Sequence, residues 1–106
     1  MMDVPLTLST LLERAEKFFA KKEVVSRTLS KTHRLTYKQI GERTRRLASV
    51  LEKQFGVKAG EKVATFAWNQ HRHLEAYFAV PGIGAVLHMV NIRLSDEHIV
   101  YIINHA

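Results

Sequence analysis

Two short and almost wholly apolar runs, Val63 to Ala67 and Ala85 to Val90, flank a stretch with helical spacing, and no feature narrows the fold of this chain more. A run of that length and composition suits a strand covered on both faces. Two such strands joined through a helix argue for parallel pairing, since an antiparallel return needs only a tight turn. From Thr36 onward the order reads helix, strand, helix, strand, helix, an alternation that belongs to parallel sheets with right-handed crossovers. The expected fold class is therefore α/β: an incomplete parallel sheet with crossover helices, preceded by an N-terminal helix and a β-hairpin.

Local signals set the remaining elements. Leu8, Leu11, Leu12, Ala15, Phe18 and Phe19 fall on one face of a helix. Thr7, Ser9 and Thr10 are all possible N-caps, and Thr10 with Glu13 makes a capping box. The polar face of this helix mixes Glu with Lys and Arg, so packing on the core is preferred to an interfacial membrane position. Glu23 to Tyr37 reads as a β-hairpin. Thr36 and Gln39 form a second capping box ahead of Ile40, Leu47, Ala48 and Leu51, which predicts a helix of about five turns ending at Gly56. Asn69 is the expected N-cap of a helix carrying Leu74, Tyr77 and Phe78, which must stop near Pro81 to Gly84. Ser95, with Asp96 and Glu97 in the favourable first turn, opens a last helix bearing Ile99, Ile102 and Ile103.

A chain of 106 residues, 46% of them apolar, holds material for one core and no second. The absence of cysteine removes a disulfide scaffold, a thiolate zinc site and a cysteine nucleophile together, and suits a reducing cytosol. No run of eighteen apolar residues is present, and Met1 to Pro5 lacks the basic start of a secretory signal. The expected location is cytoplasmic, with peripheral contact at a membrane surface as a further option. Only two candidate parallel strands precede Ala106, so residues 1–106 read as the opening of a longer protein and not as a complete domain. Strands so exposed at edges and faces lead us to expect self-association.

Net charge is +6, yet residues 14–46 alone carry eleven basic and three acidic side chains. Nucleic acid, an anionic surface and an acidic partner all suit such a patch. For Arg43, Arg45 and Arg46, with Lys38 and Lys53 at either side, a solvated helix face is the plain reading, and no aromatic residues interleave to make a single-strand platform. The Gly82-Ile83-Gly84 triplet precedes a strand, the reverse of a dinucleotide loop, and reads as a helix stop. His71 and His73 are two residues apart, on different sides of a helix and without a third ligand, so they read as surface or helix-start residues. His88 reads as a hydrogen-bonded core histidine and Glu75 as a solvated helix position. No catalytic, cofactor-binding or metal-binding residue emerges.

The stretch Trp68 to His88, WNQHRHLEAYFAVPGIGAVLH, closely resembles the start of medium- and long-chain fatty-acyl-CoA synthetases, which are AMP-forming adenylating enzymes. Leu35 to Ile40 is similar to the first core motif of that superfamily, and Gly84 through Asn91 to Ser95 to its second, where the family often has proline in place of Ile92. The resemblance implies a parent that activates a fatty carboxylate with ATP and Mg²⁺ and passes the acyl group to coenzyme A. It implies that the phosphate loop, the adenine segment, the magnesium-binding glutamate and the mobile lysine lie beyond Ala106, in the remainder of the parent enzyme. The fragment is then expected to be inactive and to bind no cofactor itself. Scaffold roles are implied for Thr36 as a cap, Gly84 as a turn and Arg93 as a hydrogen-bonding anchor. The alternative from another class is a small basic module for nucleic acid or an anionic surface, with weak, sequence-blind binding expected.

Overall fold

The computed structural model describes residues 7–106. Helix α1 spans Leu8–Phe18 with Thr7 as its extended N-cap, so Thr10 lies inside the helix and its pairing with Glu13 does not start it. Leu12 is the buried residue of α1. The expected core face is only half realised: Leu8 and Ala15 are half-buried, whereas Leu11, Phe18 and Phe19 stand in the open. A helical stripe tells which residues share a side, and here the neighbours cover just one edge of it.

The hairpin is present as expected. Strands β1 (Glu23–Arg27) and β2 (Thr32–Thr36) pair antiparallel, Glu23 opposite Thr36 and Arg27 opposite Thr32. Thr28 closes the connection through its N–H and its hydroxyl, both donated to the Lys31 carbonyl at 2.9 Å. Helix α2 (Tyr37–Lys53) follows without a loop, because the predicted capping box is formed. The Gln39 N–H donates to Thr36 Oγ1 at 3.2 Å, and the Thr36 N–H donates to Gln39 Oε1 at 2.9 Å.

Strand β3 (Lys62–Thr65), helix α3 (His71–Gly82) and strand β4 (Val86–Met89) form a parallel βαβ unit in which Lys62 pairs with Val86 and Thr65 with Met89. The strands are shorter than the apolar runs suggested. They are also covered on one side only among the described residues: Phe66 is 60% and Val86 50% exposed. Helix α3 starts after Gln70, not Asn69, and Gln70 makes no side-chain cap. It runs through Pro81 and stops as expected, with Gly84 at φ +81° in the left-handed region that a side chain rarely adopts. The Gly84 carbonyl accepts from the Gly60 N–H at 2.9 Å, locking the two strand entrances together.

Helix α3 is the centre of the molecule, touching α1, α2, β1, β3 and β4. Around it lie the buried apolar residues Leu12, Ile40, Ala79, Val80, Ala85 and Val90. Helix α4 (Asp96–His105) has the expected cap, Ser95 Oγ accepting from the His98 N–H, and buries no residue. The α/β expectation, with a two-stranded parallel sheet behind an N-terminal helix and hairpin, holds.

Candidate functional site

In open α/β sheets ligands bind outside the carboxyl ends of the strands, where side chains from successive loops converge. Here the loop after β3 and the loop after β4 meet beside the hairpin tip. They enclose an open groove of about 870 Å³ walled by Arg27, Leu29, Trp68, Asn69 and Arg93. Trp68 is 64% exposed, and the Arg93 guanidinium lies 5.6 Å from its ring centroid. The Arg93 N–H donates to Asn91 Oδ1 at 3.0 Å, so Arg93 anchors the loop through its backbone while its head stacks on an indole. Below this groove, His73 Nε2 and Thr65 Oγ1 are 3.0 Å apart, tying the end of β3 to the first turn of α3.

A second polar cluster lies under the hairpin. The His71 N–H donates to the buried Ser26 hydroxyl at 3.0 Å, across 45 residues of sequence. Ser26 thereby supplies the cap that Gln70 does not, satisfying one of the orphan donors of the helix start. The His71 imidazole is buried, 4.6 Å from the His33 ring, and its Nδ1 has no hydrogen-bond partner among the described residues. Burial first, and the neighbouring His33 second, hold its pKa below the ordinary value of 6.5.

The same helix corrects the reading of Glu75. Its side chain is 7% exposed and accepts from Arg43 Nε at 2.5 Å, so it is a buried, paired carboxylate and not a solvated one. Arg45 donates two bonds to Glu16, at 2.9 and 2.8 Å, and the bound carboxylate raises the arginine pKa. All three arginines keep to the exposed face that the plain reading gave them, but only Arg46 makes no ion pair among the described residues. The other two pin α3 and α1 to α2. His71 and His73 do part company as expected, one to Ser26 and His33, the other to Thr65. His71 is nevertheless buried and not on the surface, and His88 is half-buried in β4 and not in the core.

Among the described residues no group of three or more His, Asp or Glu side chains is placed to hold a metal ion. No helix among them is long and apolar enough to cross a membrane. The groove offers a cation over an aromatic plane and the amide side chains of Asn69 and Gln70, which are groups that bind and orient. The signals that sequence reasoning missed, Ser26 with His71 and Arg43 with Glu75, are pairs far apart in the chain.

Comparison with known proteins gives this arrangement its relatives. Residues 11–106 match the family described as AMP-binding enzyme. Across its whole length the chain is 54% identical to a long-chain-fatty-acid–CoA ligase of Thermus thermophilus, of which it covers 20%. It is 44% identical, again across its whole length, to a medium-chain-fatty-acid–CoA ligase of Ectopseudomonas oleovorans, of which it covers 19%. The chain thus spans about one fifth of the length of the curated relatives it matches. In three dimensions it superposes on a fatty acyl CoA synthetase of Mycobacterium tuberculosis with a TM-score of 0.80 at 22% identity, covering 92% of this chain and 19% of that one. An anthranilate CoA ligase, AuaEII, gives a TM-score of 0.79 at 24% identity, covering 95% and 19%. Fold and family therefore agree, and the chain belongs to the AMP-binding enzyme family.

Proposed function

We propose that residues 1–106 are an incomplete, N-terminal part of the adenylation domain of an AMP-forming fatty-acid–CoA ligase. The observation that carries this reading is the 54% identity, over the entire chain, with a long-chain-fatty-acid–CoA ligase. In the first step of the reaction a carboxylate oxygen attacks the α-phosphorus of ATP and pyrophosphate leaves. In the second the sulfur of coenzyme A attacks the acyl carbon and AMP departs with the bonding pair. Mg²⁺ would offset phosphate charge in the first step, but the acidic side chains described here are engaged elsewhere or scattered, and none is assigned to it.

The role of this chain is scaffolding. Thr36 fixes the hairpin to α2, Gly84 permits the turn into β4, and the Arg43–Glu75 and Arg45–Glu16 pairs hold three helices in register. No catalytic, cofactor-binding or metal-binding residue is assigned within it. Its location is the cytoplasm, and its partner is the remainder of the enzyme. The reading as a nucleic-acid module is disfavoured because Arg34, Arg43 and Arg45 of the basic segment are already ion-paired with Glu23, Glu75 and Glu16.

The test is pyrophosphate exchange by the intact protein. Label should enter ATP when a fatty acid is present, and exchange driven by amino acids instead refutes the assignment. Calorimetric titration of the 106-residue chain with Mg-ATP should be flat, whereas saturation at micromolar ATP refutes the scaffold role. Light scattering of the same chain should show self-association through the uncovered sheet, and a monodisperse monomer contradicts it.

A further inference from the structure

The hairpin is fastened to the body of the molecule at two levels. At its base the Tyr37 N–H donates to the Lys22 carbonyl at 3.0 Å, beside the Thr36–Gln39 capping box that runs β2 straight into α2. Halfway along, Ser26 and His33 stand directly opposite each other in the ladder, and both meet the first turn of α3 at one residue, His71. The Ser26 hydroxyl accepts the His71 N–H, the one hydrogen bond between hairpin and α3 among the described residues. The His33 ring lies 4.6 Å from the His71 ring and is tilted 39° to it. An open hollow of about 250 Å³ between β1 and the start of α3 adjoins this contact, so the packing around it is loose.

The contact suits a neutral pair of rings and not a charged one. His71 is 4% exposed, and its Nδ1 is buried without a partner among the described residues. A neutral ring with its hydrogen on Nε2 leaves that nitrogen as a bare lone pair, whereas an imidazolium carries hydrogen on both nitrogens and would bury a charged donor with no acceptor. The surrounding charges do not relieve this. His33 faces the ring from β2, Arg43 from α2 and Arg72 from α3, while the one carboxylate, Glu75 of α3, is already paired with Arg43. Strand β1 adds the Ser26 hydroxyl and, across the hollow, Arg27. Burial and neighbours therefore penalise the same charged form.

We propose that the His33–His71 contact is a pH-sensitive latch, closed while both rings are neutral and released in mild acid, so that the hairpin leaves the start of α3 while its base stays on α2. Histidine is the side chain that gains charge between pH 8 and 5. Release lifts Thr28 to Ser30 at the hairpin tip, one wall of the groove, away from Trp68 and Arg93 on the other, and the groove widens. A two-stranded hairpin without support is only marginally stable in water, so the released hairpin also frays. The latch consists of contacts that the described residues make with one another, and the proposal is independent of the ligase reading.

The experiment is hydrogen–deuterium exchange of the intact protein at about pH 7.5 and 5.5, read by mass spectrometry on peptides and divided by the intrinsic exchange rate at each pH. If release takes up one proton on a His71 ring whose open-state pKa is the ordinary value of about 6.5, opening rises at most about tenfold over that interval. Peptides covering residues 24–35 and 70–73 should therefore show a rise of more than about twofold and up to about tenfold, with no change for the middle of α2 or for β3. His71→Gln should bring the ratio below about twofold, and His33→Gln, which keeps the buried ring, should lower it. A parent ratio below about twofold, an equal rise across the whole chain, a ratio that survives in His71→Gln, or one untouched in His33→Gln each overturns the proposal. Faster exchange of His71→Gln at both pH values leaves its ratio readable. His33 is half-buried, so His33→Gln tests the latch even where His71→Gln folds poorly.

Discussion

Removing either partner of the Arg43–Glu75 pair should not cost the same, and the difference follows from where each partner sits. The Glu75 side chain is 7% exposed, whereas that of Arg43 is 42% exposed. Arg43→Met strips the counter-ion from a carboxylate that water cannot reach. Breaking a fully buried pair costs 3–5 kcal/mol, and the partial exposure of the arginine lowers the expected cost to about 2–3 kcal/mol. Glu75→Gln keeps the shape and one oxygen to accept from Nε, and leaves a guanidinium that can turn to solvent; about 0.5–1.5 kcal/mol is expected. In the Glu75→Gln background there is no buried charge left to strand, so adding Arg43→Met should cost little more. The double-mutant cycle then closes with a coupling of about 2 kcal/mol or slightly more, most of the cost of Arg43→Met alone. Urea unfolding of the 106-residue chain at one fixed protein concentration, followed by far-ultraviolet circular dichroism, supplies the four stabilities, and an unchanged urea slope shows that the same surface is being exposed. Equal costs for the two single changes, or a larger cost for Glu75→Gln, would refute the account of Glu75 as the buried member of the pair.

Three further outcomes are expected from the same measurement. Ser26→Ala should cost about 1–3 kcal/mol, because it leaves the buried His71 N–H without an acceptor, while Gln70→Ala at the nominal cap should cost almost nothing. A methyl group at Gly41 would overlap the Glu16 carboxylate, so Gly41→Ala should gain about 1 kcal/mol of helix propensity and lose a similar amount with the Arg45 bonds. In a Glu16→Ala background the same substitution should become stabilising, and a loss there contradicts the steric argument. His71 has its folded pKa below 6.5, so the unfolded chain takes up its proton first and stability falls as pH drops below about 6.5 toward the folded value. His71→Gln should flatten that slope, and a slope left unchanged assigns the pH dependence elsewhere.

What the sequence made legible is the part of the fold decided by neighbours. Thr36 and Gln39 cap α2 with atoms three residues apart, and Gly84 takes a backbone conformation that other residues avoid. Each is settled before the rest of the chain folds, so spacing alone reports it. The choice of Asn69 over Gln70 fails for the complementary reason. The start of α3 is fixed by Ser26, 45 positions away from His71, and no cap preference at 69 or 70 carries that information.

Helix α3 shows why the buried polar groups escaped a reading by hydrophobic period. Its apolar residues Leu74, Tyr77 and Phe78 mark one side, yet all three keep contact with solvent, Tyr77 being 37% exposed. The line that is buried most deeply is His71, Glu75 and Ala79, four residues apart at each step, and two of its three members are titratable. A polar residue can occupy such a line only if its partner arrives from another element, and the partners here are Ser26 on β1 and Arg43 on α2. Periodicity scores the helix by itself and therefore assigns Glu75 to water. The same blindness, reversed in sign, placed Leu11 and Phe18 in the core: they are apolar and share a line, but no described element comes to meet them. In both helices what decides burial is the approach of a second element, so the exposed aromatic side of α1 and the buried ionic side of α3 arise from one cause and have to be read from the packed structure.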